Sequence, residues 1–486
     1  MIHTDVLIIG GGASGIYCAW RLSKEYGSKV KIILAEKCSF LGGRLQSVPF
    51  GNKEIYAEVG GMRTFPTVDK ILAKVLKELN IQTIQEPYND PVNIAYVKNK
   101  RFSYGVIGSP CSNTIERKAL ISAYNLPPRE WNQSVPVLIT NVADEVDPNF
   151  INNPVSVYKY PQLNRTIFVD LLKKNHISEG AIEAFRDFSG YDFSTDYPIA
   201  SSVAIREDFV ISGQADQFFI VGGYNSFVYK MAKEAVNYNK NFQLMLSTYL
   251  KKIKPKNGNF VCDFGGKETN KILTASVILA IPKKKLIDVC APWTNNALKA
   301  FSSIFTWVAF KAFLKVDKKT YNILSHDGTL VGRNISDLPA RQIWFYSANP
   351  PCLLVYCDGQ DANYWKKYTN KIDDEFCTFP KWHNADYNVS LTQELIRQIS
   401  IVFGVNTSVI NVKKILYKYW DDGAYFWKPS DIPSLSVEVR EPLGKNRKTY
   451  IVGSDFSLYQ GWVEGALQSA DDILVEKYFL KPFINK

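Results

Sequence analysis

Gly10, Gly12 and Gly15 stand at the spacing G-x-G-x-x-G directly after an apolar run at residues 5–9, and an acid, Glu36, closes the next apolar run at 30–35. Each position has a separate chemical use. Gly10 permits a sharp turn, Gly12 lets a pyrophosphate approach the backbone, and Gly15 lets a helix pack closely on a strand. A helix running from Ser14 to about Tyr26 would offer unpaired N–H groups and a positive dipole end to the phosphates. Glu36, followed by Lys37, sits where a carboxylate can accept hydrogen bonds from ribose hydroxyls. A lone glycine pattern is a weak signal. Strand, turn, helix, strand and acid in register predict the first βαβ unit of a dinucleotide-binding fold.

Two further glycine pairs carry an arginine. Gly42-Gly43-Arg44 would bring backbone and a guanidinium to a phosphate, although on its own Gly-Gly-Arg is a common turn. Gly60-Gly61-Met62-Arg63 repeats the device, with Arg63 projecting beyond the turn and Pro66 closing the segment. Lys311 interrupts the apolar stretch 303–316. A lysine there either snorkels to water or has a partner or a task, because burying an unpaired ammonium is costly. Asp421 and Asp422 could select a cationic substrate side chain or be a solvated pair at a strand end. Tyr425, Phe426 and Trp427 could equally favour aromatic substrates.

The elements that must position these residues follow from periodicity. Apolar positions 71, 72, 75, 76 and 79 predict an amphipathic helix over 68–79. Residues 87–155 are rich in Asn, Pro and Ser and show few periodic runs, while helical signals return at 166–174 and 178–188. Strands are expected near 242–248, 259–262, 277–280, 303–316, 343–346, 353–356, 415–420 and 450–453. Helices are expected from 226 to about 238, over 391–403, and from 461 to about 478. The fold class is therefore α/β: a discontinuous Rossmann-type dinucleotide-binding domain (1–48, 216–302, 410–486), an α+β substrate-binding domain (49–102, 303–409) and an inserted helical region (103–215).

At 486 residues the chain is too long for one compact core. Its net charge of +11 is spread along the sequence, which gives no nucleic-acid footprint. Eight cysteines are scattered without a C-x-x-C pair or a cluster with the four histidines, so no metal site is expected. No apolar run reaches about eighteen residues and the N-terminus lacks a secretory pattern, so a cytoplasmic protein with reduced thiols and no membrane span is the expectation. The assembly state stays open, a homodimer being one reading.

With these residues in place the chain resembles the flavin amine oxidase superfamily and, within it, the L-amino-acid oxidases. Four segments carry the likeness: the fingerprint with Gly42-Gly43-Arg44; residues 56–63; residues 337–341 through 355–362; and Ile451-Val-Gly-Ser-Asp455 with Gly461-Trp462-Val-Glu-Gly-Ala466. The Met62-Arg63 pair is the most discriminating, since oxidases of amines without a carboxylate do not need it. The resemblance implies that Arg63 clamps the substrate α-carboxylate and that Tyr356 gives it a second hydrogen bond. It implies that Lys311 holds a water near the flavin and that the Gly423 carbonyl accepts from the substrate amine. Trp462 would wall the flavin. Gly10, Gly12, Ala13, Ser14, Gly15, Glu36, Lys37, Gly43, Arg44, Gly60, Gly61, Met62, Arg63, Gly453, Asp455, Trp462 and Val463 would hold FAD. Asp455 stands where the family usually has Glu. Ala424 stands where some members attach flavin to a cysteine, which implies non-covalent FAD.

The implied reaction oxidises an L-amino acid with dioxygen to a 2-oxo acid, ammonia and hydrogen peroxide. Rival readings are a flavin-dependent amino-acid 2-monooxygenase, an amine or polyamine oxidase, and a flavin-binding structural module without turnover.

Overall fold

The computed structural model describes residues 1–50, 55–85, 90–146, 155–211, 217–268, 270–370, 373 and 375–484. From N to C terminus its principal strands are β1 (Ile2–Ile9), β2 (Ile32–Ala35), β3 (Phe242–Met245), β4 (Ile272–Leu279), β5 (Ile304–Val316), β6 (Pro351–Asp358), β7 (Val412–Trp427) and β8 (Thr449–Ile451). Its principal helices are α1 (Ala13–Tyr26), α2 (Lys70–Glu78), α3 (Glu179–Ser189) and α4 (Val463–Tyr478).

The first sheet runs β3-β2-β1-β4-β8 with every pair parallel. A hairpin of Thr248–Lys256 and Asn259–Gly266 extends it beside β4. A parallel sheet is covered on both faces, so its strands read as continuous apolar runs. Leu7, Ile9 and Ile33 enter one core, whereas Val6, Ile8, Ile32 and Leu34 enter another on the opposite face. The second face is closed by α1 and α4. Arg21 and Tyr17 of α1 both reach Oδ1 of Asp471 on α4, at 2.5 and 2.9 Å.

The second sheet places β5 between β7 and β6, with antiparallel pairing to both. Beyond β6 it continues through Gln342–Ala348, Gly332–Ser336, Ile94–Val97 and Lys100–Ser103. β7 does not end near residue 420 as its apolar pattern suggested. It continues to Trp427, and its register with β5 shifts between Trp307 and Ala309, opposite Ala424 and Trp420. Residues 421–423 form the resulting bulge, a feature that re-aims backbone beside a site.

Between the sheets' segments the chain is helical: Ile115–Ala123, Val135–Asp144, Phe168–Lys174 and α3. The first two gave no clear periodic signal. Val135–Asp144 has Pro136 in its first turn, and Ile115–Ala123 buries Arg117 on its inner face. The boundary expected at 215/216 lies outside the described residues. One expectation is corrected: the thiols are not all reduced, because Cys38 and Cys377 form a disulfide across a sequence separation of 339. Nothing in the spacing of two such distant cysteines announces a bond.

A Cβ at Gly15 would stand 2.0 Å from the carbonyl oxygen of Gly10. Gly15→Ala is therefore expected to destabilise the protein by about 3 kcal/mol through overpacking, read as a lowered midpoint in denaturant unfolding.

Candidate functional site

A cavity of about 470 Å³ opens where the two sheets and the helical segment meet. Its lining includes every residue that the resemblance places in the site except Gly15, which packs against the turn instead. Such a volume suits a small-molecule ligand.

One end is built from helix starts and glycines. Gly10 (φ +107°) could not carry a side chain, since a Cβ would lie 2.3 Å from the Ala280 carbonyl. A Cβ on Gly12 or on Gly453 would meet nothing within 4 Å, so at these two positions the backbone faces open space. Neither α1, whose N-cap is Gly12, nor α4, whose N-cap is Trp462, has a side-chain cap. Two helix N-termini thus present N–H groups and positive dipole ends to one cavity, which favours bound negative charge. Glu36 is buried, and its oxygens accept from the N–H groups of Gly11 (2.6 Å) and Cys38 (2.7 Å). Burial pushes its carboxyl up while those two donors pull it back. Each oxygen keeps a lone pair for a further donor.

Arg44 and Asp455 meet in the middle. Nη2 of Arg44 donates to Oδ1 of Asp455 at 2.7 Å, and Nη1 donates to the Gly423 carbonyl at 3.3 Å. Oδ2 of Asp455 accepts from the Lys283 N–H at 3.0 Å. The shorter acid at 455 therefore pairs with Arg44. The carbonyl expected to receive a substrate amine already receives Arg44, with a second lone pair left over.

At the other end Arg63 is 8% exposed and Lys311 is 4% exposed. Arg63 donates from Nη2 to the Tyr191 hydroxyl at 2.9 Å, and its Cζ lies 5.7 Å from the Trp344 ring centroid. Lys311 does not snorkel. Its Nζ donates to the carbonyls of Gly60 (2.6 Å) and Glu58 (3.0 Å) and sits 4.7 Å above the Tyr356 ring. Burial, with the charge of Arg63 adding to it, pushes the Lys311 ammonium down to about 7, against the pull of Glu58. Burial likewise pushes the Glu58 carboxyl up to about 8. Trp462 donates from Nε1 to Glu207 at 2.5 Å.

Tyr191, Phe193, Glu207, Trp307, Phe376 and Trp420 line this end and were not picked from the sequence. They reach it by tertiary packing, and no local pattern marks them. Phe426 lines it too, but Tyr425 and Trp427 do not. Asp421 is half exposed and ion-paired with Lys284, while Asp422 is buried and burial pushes its carboxyl up to about 6. Neither lines the cavity. Among the described residues no cluster of His, Cys, Asp or Glu could hold a metal ion, and no helix is long and apolar enough to cross a membrane.

A family model described as flavin containing amine oxidoreductase matches residues 13–472. The chain is 47% identical to an uncharacterized protein, R188, of Acanthamoeba polyphaga mimivirus, covering 98% of this chain and 94% of that one. It is 23% identical to Aplysianin-A of Aplysia kurodai over 98% of this chain and 90% of the relative. A solved structure of wild-type putrescine oxidase bound to putrescine superposes with a TM-score of 0.70 at 13% identity, covering 99% of this chain and all of that chain (100%). At that identity the likeness concerns the fold.

Lys311 gives the pH test. Its folded value of about 7 lies below the ordinary lysine value of 10.5, so between these pH values the unfolded chain binds a proton that the folded chain lacks. The penalty for burying it is full below pH 7 and disappears as pH rises toward 10.5. Denaturant unfolding of wild type and Lys311→Met is expected to show wild type gaining stability relative to the variant across that window.

Proposed function

The chain belongs to the flavin-containing amine oxidoreductases, and from that premise we propose that it is an FAD-dependent L-amino-acid oxidase. Its reaction would convert an L-amino acid, water and dioxygen to a 2-oxo acid, ammonia and hydrogen peroxide. The observation that carries this reading is Arg63, a guanidinium buried in an aromatic chamber beside a second basic group, Lys311. A simple amine would bring further positive charge to that end. A substrate carboxylate brings the opposite charge and can take two parallel hydrogen bonds from a planar fork.

The residues at the opposite end fit FAD. The open backbone at Gly12 and the uncapped start of α1 suit a pyrophosphate, and Glu36 suits a ribose. None of the described lining residues is a cysteine or histidine, and Ala424 is among them, which supports non-covalent attachment. Flavin, when bound, supplies the two-electron acceptor. Arg63 and Tyr356 hold the carboxylate, which fixes the direction of the Cα–H bond. Such positioning contributes on the order of several kcal/mol to lowering a barrier. Trp307, Phe376, Trp420, Phe426 and Trp462 exclude water around it. Lys311, with two N–H bonds held by carbonyls, can hold a water or exchange a proton at Nζ near neutral pH. The uncapped start of α4 stabilises negative charge arriving beside it.

Anaerobic bleaching of the yellow protein by each of the twenty L-amino acids, and by amines lacking their carboxyl groups, tests the reading. Amino acids are expected to bleach it and the amines are not. Arg63→Ala is expected to lower kcat/KM for the best amino acid about 100-fold, corresponding to about 3 kcal/mol for one partner of a buried charge pair. Equal bleaching by amines, or full activity of the variant, would remove the amino-acid assignment. Gly12→Ala is expected to lower flavin content per chain while leaving the unfolding midpoint of flavin-free protein within about 1 °C, because nothing lies within 4 Å of the added Cβ.

A further inference from the structure

Tyr191 belongs to neither sheet. It follows α3 at the edge of the helical segment, yet its side chain reaches the Arg63 end of the cavity. Its hydroxyl accepts from Nη2 of Arg63 at 2.9 Å. Its ring meets the ring of Tyr356 edge to face at 5.7 Å and that of Phe193 at 6.2 Å. Two phenols and one guanidinium are thus gathered in one place by three separate parts of the chain.

The backbone around Tyr191 is pinned on both sides. The Ser189 hydroxyl accepts from the Tyr191 N–H at 3.1 Å and donates to the Tyr191 carbonyl at 3.0 Å. The next two N–H groups, of Asp192 and Phe193, donate to the carboxylate of Asp358 at 3.0 to 3.1 Å. Asp358 is fully buried at the end of β6, two residues after Tyr356, and it also accepts from Trp307 Nε1 at 2.7 Å. A second clamp lies beside it, where Arg341 of the second sheet donates to Asp192 at 3.0 Å. One carboxylate therefore sets the position of Tyr191 relative to Tyr356.

A phenol hydroxyl is donor and acceptor at once, so one that accepts from a guanidinium can turn its O–H toward an anion brought to that guanidinium, and accepting polarises the bond in that sense. An anion seated on the Nη2 side of Arg63 would arrive beside that hydroxyl, which lies 2.9 Å from Nη2. We infer that Tyr191 is a substrate-binding residue whose hydroxyl donates to the carboxylate that Arg63 holds, and that Asp358 is the residue that positions it. The inference rests on the amino-acid oxidase reading above. It gives the helical segment a part in recognising the carboxylate end of the substrate, which every amino acid shares. The opposite arrangement, a plug that must leave Arg63 before substrate binds, predicts the opposite sign for the same variant.

The test is steady-state kinetics of wild type, Tyr191→Phe, Asp358→Asn and the double variant. The substrates are the L-amino acid that wild type oxidises fastest and the amine left by removing its carboxyl group. Tyr191→Phe is expected to raise KM for the amino acid about tenfold, as loss of one hydrogen bond to a charge does, with kcat within about twofold and the amine unaffected. Asp358→Asn is expected to raise the same KM, and adding Tyr191→Phe to it is expected to raise KM less than it does in wild type, the mark of two residues acting through one contact. An unchanged or lowered KM in Tyr191→Phe overturns the inference, as does full additivity for the role of Asp358. Wild type that prefers the amine overturns the oxidase reading itself. Wild type that prefers the amino acid and loses the preference only in Arg63→Ala leaves that reading standing and removes Tyr191 from it.

Discussion

Three successive carbonyl oxygens, those of Glu58, Val59 and Gly60, are each taken by a side chain of the second sheet. Lys311 of β5 holds the first and third at 3.0 and 2.6 Å, and Trp420 of β7 holds the second at 2.6 Å. The two donors stand on adjacent strands, Trp420 being paired with Ala309, two residues before Lys311. On its other side this segment rests on the first glycine-arginine turn: Gly61 N–H donates to the Arg44 carbonyl at 3.1 Å, and a Cβ on Gly60 would lie 1.9 Å from that same oxygen. Gly60 is required for chain to approach chain here. The stretch that delivers Arg63 is suspended between two supports. Leaving such buried carbonyls without donors would cost about 1–3 kcal/mol each, which gives a buried lysine a structural reason as well as a chemical one.

The same lysine links architecture to electrostatics. Arg63 and Lys311 lie close enough that each disfavours charge on the other, and burial adds to the effect. An arriving anion relieves both. In the middle of the cavity the balance is different, since Asp455 already neutralises Arg44 and the bulge of β7 brings the Gly423 carbonyl to the same guanidinium. Positive potential is left for a ligand at the helix starts and at Arg63, while the middle of the cavity is internally matched.

What could be read from residues alone was whatever backbone chemistry or charge makes improbable elsewhere. The turn at Gly10–Gly15 is legible because a pyrophosphate cradle, a close helix and a sharp bend each demand a missing side chain. Lys311 is legible because an ammonium inside an apolar strand requires a partner. Fold class followed from continuous apolar runs that both faces of a parallel sheet impose. Tyr191, Phe193 and Glu207 were not legible, since each is one aromatic or acidic residue in a segment without periodicity and acts only where distant strands bring it. The role of Asp358 depends on N–H groups 165 and 166 residues away. Gly15 shows the finer limit: a Cβ there would stand 2.0 Å from the Gly10 carbonyl oxygen, so the missing side chain serves the packing of helix on turn.

The bond between Cys38 and Cys377 joins two walls of the cavity that the chain itself keeps far apart. Cys38 donates its N–H to Glu36 at 2.7 Å, Phe376 faces the reacting end, and Phe40 and Phe379 meet edge to face at 5.1 Å across the seam. When every other contact melts, the polypeptide is still a lariat whose knot lies beside Glu36. In the chain-entropy picture closing so large a ring removes on the order of 5 kcal/mol of freedom from the denatured ensemble. The two banks of the ligand crevice thus remain neighbours even in a molecule that has lost its sheets.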